Sequence, residues 1–518
     1  MEASAAASEQ GSRSRGSAIL LSIFLIALCG LIYELLLGTV ATYVLGDSVK
    51  QFSITIGFFL SAMGLGSFLS RYVRQNLMER FLEIELFIAG FGGFSAILLF
   101  GIYAYVRVLF RPCLYGTLIG LGTCIGLEIP ILTRVLKRFG TLRTVLAEAL
   151  SMDYIGALVA SLAFPLLLYP YLGLMRTALL TGAVNLAVVV LNMRCFRDQV
   201  VNAKRIWVCT LLLLAGLGAA FIYATWITGR LEEKIFRAPV IWAVRSPYQK
   251  CVLTKRGDDP GDLRMWINGK LQFSSLDEHR YHEALVHPAM TLSADPTHVL
   301  ILGGGDGLAV REVLKYGEVE QVVVVDIDPG ITHLSRNHPA MREITQDAMN
   351  DPRVEIVHRD AFVFLEEDPR PFGVILVDLP DPDCIELARL YSVESFKLMG
   401  FRLKEGGALS VQSSSPTFCP RAYWCIETTI RAAGLFTQPY HNYVPTFGSW
   451  GYVLASNRSL SVDALEIQVP TKYLDAAAAR DLFRFPPDMP RVDVKVNRRF
   501  QPVVLRYYER DWKKWFPL

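Results

Sequence analysis

Residues 298–328 read HVLILGGGDGLAVREVLKYGEVEQVVVVDID, and the reading of this stretch decides the fold of the polar half of the chain. A short apolar run enters Gly303, Gly304 and Gly305, "LAVREVLKY" leaves them with helical spacing, and "VEQVVVVDID" is a second buried strand that ends in acids. Strand, glycine turn, helix, strand and terminal acid form the first half of a doubly wound α/β nucleotide fold. "FGVILVDLPDPD", residues 372–383, repeats the strand-then-acid design. Ligands of such folds sit beyond the carboxyl ends of the strands, where Asp306, Asp326, Asp360, Asp378 and Asp381 converge. Phosphate-binding loops avoid carboxylates, yet Asp306 lies among the glycines and four more acids share its rim. Such a rim repels pyrophosphate and attracts cations. A lone Asp in a glycine turn is explained by an Asx-type bond to its own backbone; five acids at strand ends are not. The expected ligands are a sulfonium nucleoside and an amine.

Just upstream, "YQKCVLTK", "LRMWING" and "KLQFSS" read as a short β-meander with a hairpin turn at Asn268-Gly269, followed by a helix over Asp277–Met290. Before residue 230 the character changes. Seven stretches are long enough for a hydrocarbon core, which takes about 20 apolar residues: Ser17–Leu45, Phe52–Val73, Ile84–Tyr105, Leu109–Leu136, Ile155–Leu172, Leu174–Leu191 and Ile206–Thr228. Small residues recur in "AMGLGSF" and "GTLIGLGTCIG", which suits close helix packing in lipid. Glu34, Glu128 and Asp153 lie in or at the ends of these spans, either tying helices together or forming a pocket for a cation. Placing the N-terminus inside puts most Arg and Lys of the short loops inside; an odd count then puts the polar half outside, whereas Arg230, Lys234 and Arg237 after the last span argue for the other side. The side of the polar half stays open, and the expected location is the cell membrane, multi-pass.

Composition narrows the partners. In 518 residues the formal net charge is +3, without a basic block or zinc-finger spacing, so nucleic acid is not an expected partner. Nine cysteines include no CxxC pair, and the eight histidines, all beyond residue 278, are scattered; no metal site is expected. The fold class is therefore a multi-span α-helical membrane domain followed by an α/β Rossmann-like, methyltransferase-type domain with a small N-terminal β-meander. Its expected divisions are a disordered tail over 1–16, the membrane domain over 17–229, a linker and small β domain over 230–290, and the catalytic domain over 291–518.

From about Tyr248 to the end the residues resemble the polyamine aminopropyltransferases, the spermidine synthases, and in particular their multi-spanning membrane branch. The resemblance rests on Tyr248-Gln249, "INGKLQFSSLDEHRYHEALVH", "LILGGGDGLAVREVLK", "VVDID", "NDPRVEIVHRDAFVFL", "VDLPDPD", "LYSVESFKLM" and "PYHNYVPTFGSWGYVLA", in family order and spacing. The N-terminal "GLIYELLLGTVATYVLGDSV" and "GFFLSAMGLGSFLS" are similar to the membrane portion of that branch. The resemblance implies transfer of a 3-aminopropyl group from decarboxylated S-adenosylmethionine, a co-substrate, to an amine such as putrescine, with no cofactor and no metal. It implies Gln249, Asp326, Asp360 and Ala361 at the nucleoside, with Asp326 on the ribose diol and Asp360 on the adenine amino group. Asp306 is then expected on the aminopropyl ammonium, His282 and Asp381 on the amine, Asp378 as general base, and Tyr281 orienting the attacking nitrogen. Partners are a small-molecule amine and the lipid bilayer, with a homodimer as an open option.

The family segment Asp-x-x-Asp-Pro-x-Gly-Pro continues here as Asp383-Cys384-Ile385, and Ala361 stands where Gly is usual. Ser413, Ser414 and Ser415 occupy the place of a polyamine-binding Glu, and Phe447 that of a Tyr. These departures bear on the acceptor more than on the nucleoside. Two other readings use the same residues. A methyltransferase shares this fold but sets a methionine carboxylate against Asp306; a non-catalytic polyamine sensor or transport module gives the helical half a role.

Overall fold

The computed structural model describes residues 2–46, 48–139, 141–246, 248–257 and 261–515. The chain divides into two compact units, Met1–Ala238 and Pro239–Leu518.

The first unit is helical: α1 (Glu2–Leu45), α2 (Ser48–Leu69), α3 (Leu77–Gly93), α4 (Ser95–Tyr105), α5 (Phe110–Leu136), α6 (Leu142–Ala163), α7 (Tyr169–Cys195) and α8 (Ala203–Phe236). α1 begins inside the stretch read as a tail, and α8 runs beyond residue 229. Among the described residues, five stretches are long and apolar enough to cross a membrane, and α3 with α4, bent by 41°, makes a sixth if the two form one span. The difference from seven lies in Arg143–Cys195, a continuous stretch of 53 residues. At 1.5 Å per residue it is about 80 Å long, more than twice a bilayer core. It is broken at Gly173 (φ 69°, ψ 179°), between the two spans read there as separate. Where α2 and α5 meet, small residues set the distance: a Cβ at Gly126 would lie 2.1 Å from Met63 O, and one at Gly122 2.9 Å from Phe59 O. Large apolar side chains such as Leu60, Phe68, Leu158, Leu166, Leu212 and Ile222 point outward and are exposed, whereas Glu85, Glu128, Asn185 and Asn192 are buried.

The second unit opens with a four-stranded antiparallel sheet, β1 (Val240–Arg245), β2 (Lys250–Arg256), β3 (Asp262–Ile267) and β4 (Lys270–Ser274), in that order. Asn268 and Gly269 both have positive φ, 49° and 79°, as a two-residue hairpin turn that follows strand twist requires. α9 (Glu278–Leu292) follows and packs on the large sheet.

That sheet has seven strands: β5 (His298–Gly303), β6 (Gln321–Asp326), β7 (Val354–His358), β8 (Phe372–Asp378), β9 (Leu403–Gln412), β10 (Phe436–Val444) and β11 (Gly448–Ser456). Its spatial order is β10-β11-β9-β8-β5-β6-β7, parallel from β9 to β7 and antiparallel at β11 and β10. The interior strands are buried on both faces and read as continuous apolar runs. Leu300 and Leu302 of β5 enter one core, Val299 and Ile301 the other. The helices between strands include α10 (Leu308–Val313) after β5, α11 (Pro329–Asn337) and α12 (Pro339–Thr345) after β6, α13 (Ala361–Glu367) after β7 and α14 (Ile385–Ala388) after β8. The chain leaves β5 toward β6 on one side and returns at β8 on the other. The crevice at the carboxyl ends of β5, β6 and β8 is therefore the topological switch point where this architecture binds ligands.

Candidate active site

Strand register builds the rim. Gly303 pairs with Asp378, and Gly304 N donates to Asp378 O at 3.1 Å. A Cβ on Gly303, whose φ is +81°, would sit 2.2 Å from that carbonyl, so only glycine closes this turn. Three residues on, Asp306 Oδ1 accepts from Leu308 N at 2.9 Å. The Asx-type bond that explains a lone Asp is thus present, and it occupies one of two carboxylate oxygens.

α9 brings the next groups. His282, Asp306 and Asp378 each offer a polar atom, and these atoms lie within 4.8 Å of one another. Tyr281 donates its hydroxyl to Asp378 Oδ1 at 2.7 Å; Asp378 Oδ2 is buried and has no hydrogen-bond partner among the described residues. Burial raises the proton affinity of Asp378, opposed by the charge of His282 and the Tyr281 bond. For His282 burial acts downward, but the bond to Glu278 at 2.9 Å and the charges of Glu278, Asp306 and Asp378 prevail and lift it to about 9. With its proton affinity so raised, the ring is an imidazolium at neutral pH and a donor at both nitrogens. Burial also pushes Asp306 up to about 6; when Asp306 and Asp378 are both ionised, the trio carries a net single negative charge, which suits an ammonium.

A second layer fixes α9 against α10. Arg311 grips Glu278 through both carboxylate oxygens, at 2.9 and 3.0 Å, and Glu312 at 2.9 Å; Glu312 also meets His287 at 3.0 Å. Burial alone would raise Glu278, but its bonds and charges with His282 and Arg311 hold it at about 2. Its anion fixes His282 in place and in charge.

On the β6 side, Asp326 accepts from Gly305 N at 3.1 Å and from Asp328 N at 2.8 Å, and burial pushes it up to about 6 against those bonds. Asp328 caps α11 through Gly330 N at 2.8 Å and takes the Ser246 hydroxyl at 2.9 Å. Ser246 Oγ in turn accepts from Gln249 N at 3.1 Å, so Gln249 is tied to the Asp326 end of the crevice. Asp360 is the N-cap of α13, accepting from Phe362 N at 2.9 Å, with Ala361 the first helical residue. Its other oxygen is engaged by Arg389, just after α14.

The loop after β8 carries Asp381. Gln412 donates to Leu379 O at 2.6 Å and to Asp381 Oδ1 at 3.4 Å, and Tyr391 donates to Pro380 O at 3.0 Å. Burial lifts Asp381 to about 6, against bonds from Gln412, Tyr508 and Ser414 and the charge of Lys270. Lys270 of β4 pairs with Asp383, the residue after Asp381-Pro382. Ser413 and Ser415 donate to Val411 O at 2.9 Å and Ser449 O at 2.6 Å, which leaves Ser414 as the serine that reaches Asp381. Aromatic rings flank the acids: Trp450 lies 6.4 Å from Tyr281 and 5.2 Å from Phe447, centroid to centroid.

The structure therefore gathers Tyr281, His282, Asp306 and Asp378 into one cluster, with Asp326 and Gln249 on one side and Asp381 on the other; Asp360 and Ala361 stand at the end of β7. Sequence reading missed Glu278, Arg311, Gln412, Arg389 and Lys270. Only Glu278 carried a local signal, the i,i+4 spacing to His282 on a helix.

Residues 278–466 match the spermine/spermidine synthase domain family. The chain is 41% identical over 503 residues to a polyamine aminopropyltransferase of Leptospira interrogans, covering 96% of this chain and 99% of that one. It is 43% identical over 511 residues to polyamine aminopropyltransferase 2 of Ralstonia nicotianae, covering 96% and 99%. The crystal structure of spermidine synthase from Thermotoga maritima is similar at 26% identity over 48% of this chain and 84% of that one, with a TM-score of 0.43.

Proposed function

This chain belongs to the polyamine aminopropyltransferase family, and from that premise we propose how its residues divide the reaction. The enzyme moves the 3-aminopropyl group of decarboxylated S-adenosylmethionine to an amine such as putrescine, giving spermidine and methylthioadenosine. The amine nitrogen attacks the propyl carbon beside the sulfonium. A C–N bond forms, the C–S bond breaks with its electron pair going to sulfur, and the leaving group is a neutral thioether that needs no acid. The nitrogen must lose a proton, and Asp378 accepts it at Oδ2. Tyr281 holds the other oxygen and so aims that lone pair. Asp306 and imidazolium His282 set the charge that receives the donor's ammonium and orients the amine, and Asp381 takes positive charge at the acceptor. Asp326 binds the ribose diol, with Gln249, Asp360 and Ala361 along the nucleoside. Alignment of nitrogen, carbon and sulfur supplies much of the remaining rate, up to about 7–11 kcal/mol in favourable intramolecular cases.

One observation carries this assignment: Asp378 Oδ2 is buried and unpartnered while its sister oxygen is held at 2.7 Å. An unsatisfied buried oxygen costs about 1–3 kcal/mol, a cost that a bound, proton-donating amine removes. The full chain in detergent, given decarboxylated S-adenosylmethionine and a panel of diamines, is expected to form methylthioadenosine. Absence of product with every amine would overturn the reading.

For the helical unit we propose a multi-pass location in the cell membrane. Its support is the run of long apolar stretches, the outward-facing apolar side chains and the glycine contacts between α2 and α5.

A further inference from the structure

Aminopropyl transfer leaves one cluster in the helical unit unused. Glu85 of α3 and Glu128 of α5 are 0% and 1% exposed, and their carboxyl groups are in hydrogen-bond contact with each other. Both Glu85 oxygens and Glu128 Oε1 face no donor among the described residues. The Tyr33 hydroxyl of α1, on a side chain with 0% exposure, is in electrostatic contact with both acids and is likewise unpartnered among the described residues. Among those residues neither acid forms an ion pair; the nearby Arg80 and Arg205 pair instead with Glu83, at 2.6 and 3.2 Å.

Two bare carboxylates in contact cannot persist there. At 4 Å their repulsion is about 4 kcal/mol even with an effective dielectric constant near 20, and desolvation costs several kcal/mol more for each ion. A positive charge must be present, and the donor set says which. Magnesium and calcium take six or more oxygens, more than two carboxyls and a phenol supply. Carboxyls in hydrogen-bond contact also leave no space between them for an ammonium or a metal. A proton needs no space: one carboxylic acid donates to the other carboxylate, with the unpartnered Tyr33 hydroxyl nearby.

We propose that Glu85, Glu128 and Tyr33 form a proton-binding site inside the helical unit, with one proton shared between the two carboxyls. A groove of about 380 Å³ on the same helices is lined by Val73, Arg80, Glu83, Ile84, Phe87 and Cys124. Ile84 adjoins Glu85 in the chain, and Cys124, one turn before Glu128, is in electrostatic contact with it. The titratable groups that face the pair are Cys29 and Tyr33 from α1 and Cys124 from α5. The other helices packed on α3 and α5, namely α2, α4, α6, α7 and α8, bring none into contact with it among the described residues. An internal acid pair that holds one proton is the minimal element of a proton relay.

Infrared spectroscopy of the full chain in detergent tests the site. At neutral pH the protein should show a protonated-carboxyl C=O band that shifts in deuterated water, changes frequency in Glu85→Gln and in Glu128→Gln, and is lost when both are replaced. Aminopropyl transfer should persist in each variant, because the transfer site lies in the second unit. Tyr33→Phe, the milder change, should shift the band without removing it. A band that survives replacement of both glutamates, that Tyr33→Phe leaves unmoved, or that added sodium abolishes in the unsubstituted protein would overturn the proposal.

Discussion

Asp378 has two oxygens with different tasks, and substitutions separate them. Asp378→Asn keeps the shape and removes the base, so kcat should fall by about 10²–10⁴ while the dissociation constant for decarboxylated S-adenosylmethionine stays within a factor of two or so, as direct binding would report. Tyr281→Phe removes a hydrogen bond to a charged group, about 1.5–3 kcal/mol, and kcat should drop roughly 10- to 100-fold. It should also raise the proton affinity of Asp378, since the lost donor stabilised the carboxylate. The acid limb of the pH profile follows from two other acids. Asp306 and Asp381 are both pushed up to about 6, and each must be ionised to hold an ammonium. In the free enzyme kcat/KM should therefore rise as pH passes upward through about 6 and then level. His282 has the opposite consequence for stability. Its folded value near 9 exceeds the ordinary 6.5, so its contribution is complete below pH 6.5 and is lost as pH rises through 9. The melting temperature should fall across that window, and less steeply in Glu278→Gln.

At the scale of elements, the turn between β5 and α10 sets the distance between nucleoside and amine. A Cβ on Gly305 would lie 2.5 Å from Asp326 Oδ2 and 2.9 Å from its carboxyl carbon. Gly305→Ala should weaken nucleoside binding at least tenfold and cost about 1–3 kcal/mol of stability as an overpacking change, measured by titration and by thermal melting. This turn was legible in the sequence because a buried parallel strand is a continuous apolar run and the glycines punctuate it. The small sheet was legible only from its second strand on. β1, "VIWAVR", alternates between exposed and half-buried residues and begins a few residues after α8 ends, so the helix boundary hid it. Partners far apart in sequence left no trace. Arg311 reaches Glu278 across 33 residues, and Lys270 finds Asp383 across four strands and five helices. The second case bears on the acceptor, since the pair joins β4 to the loop carrying Asp381 where the family's Gly-Pro is missing. Lys270→Ala should raise kcat/KM for longer, more highly charged amines relative to putrescine. An equal change for all amines would refute a role in acceptor choice.

The whole molecule joins two solvent regimes in one chain. In the second unit apolar strands are inside and acids gather at one rim; in the first, Leu158, Leu166, Leu212 and Ile222 face outward while Glu85 and Glu128 are enclosed. Composition made this inversion legible, and within Arg143–Cys195 the helix is interrupted by a π segment at Phe164–Leu168 and at Gly173, where the sequence reading divided two spans. Glu85, however, was missed. With the third span placed at Ile84 it stood at the edge, whereas α3 begins at Leu77 and carries Glu85 well inside. Outward leucines and phenylalanines on this scale cost about 25 cal/mol for each Å² left in water, and several helices present them at once. In the proposed membrane location, hydrocarbon around the first unit would remove that cost, and alkaline carbonate, which strips proteins held by charge, would do nothing to restore it. The full chain should therefore stay with the membrane through a carbonate wash and leave it only with detergent, in which aminopropyl transfer should remain measurable. Release by carbonate in active, monodisperse form would show that the apolar faces are covered by protein and not by lipid.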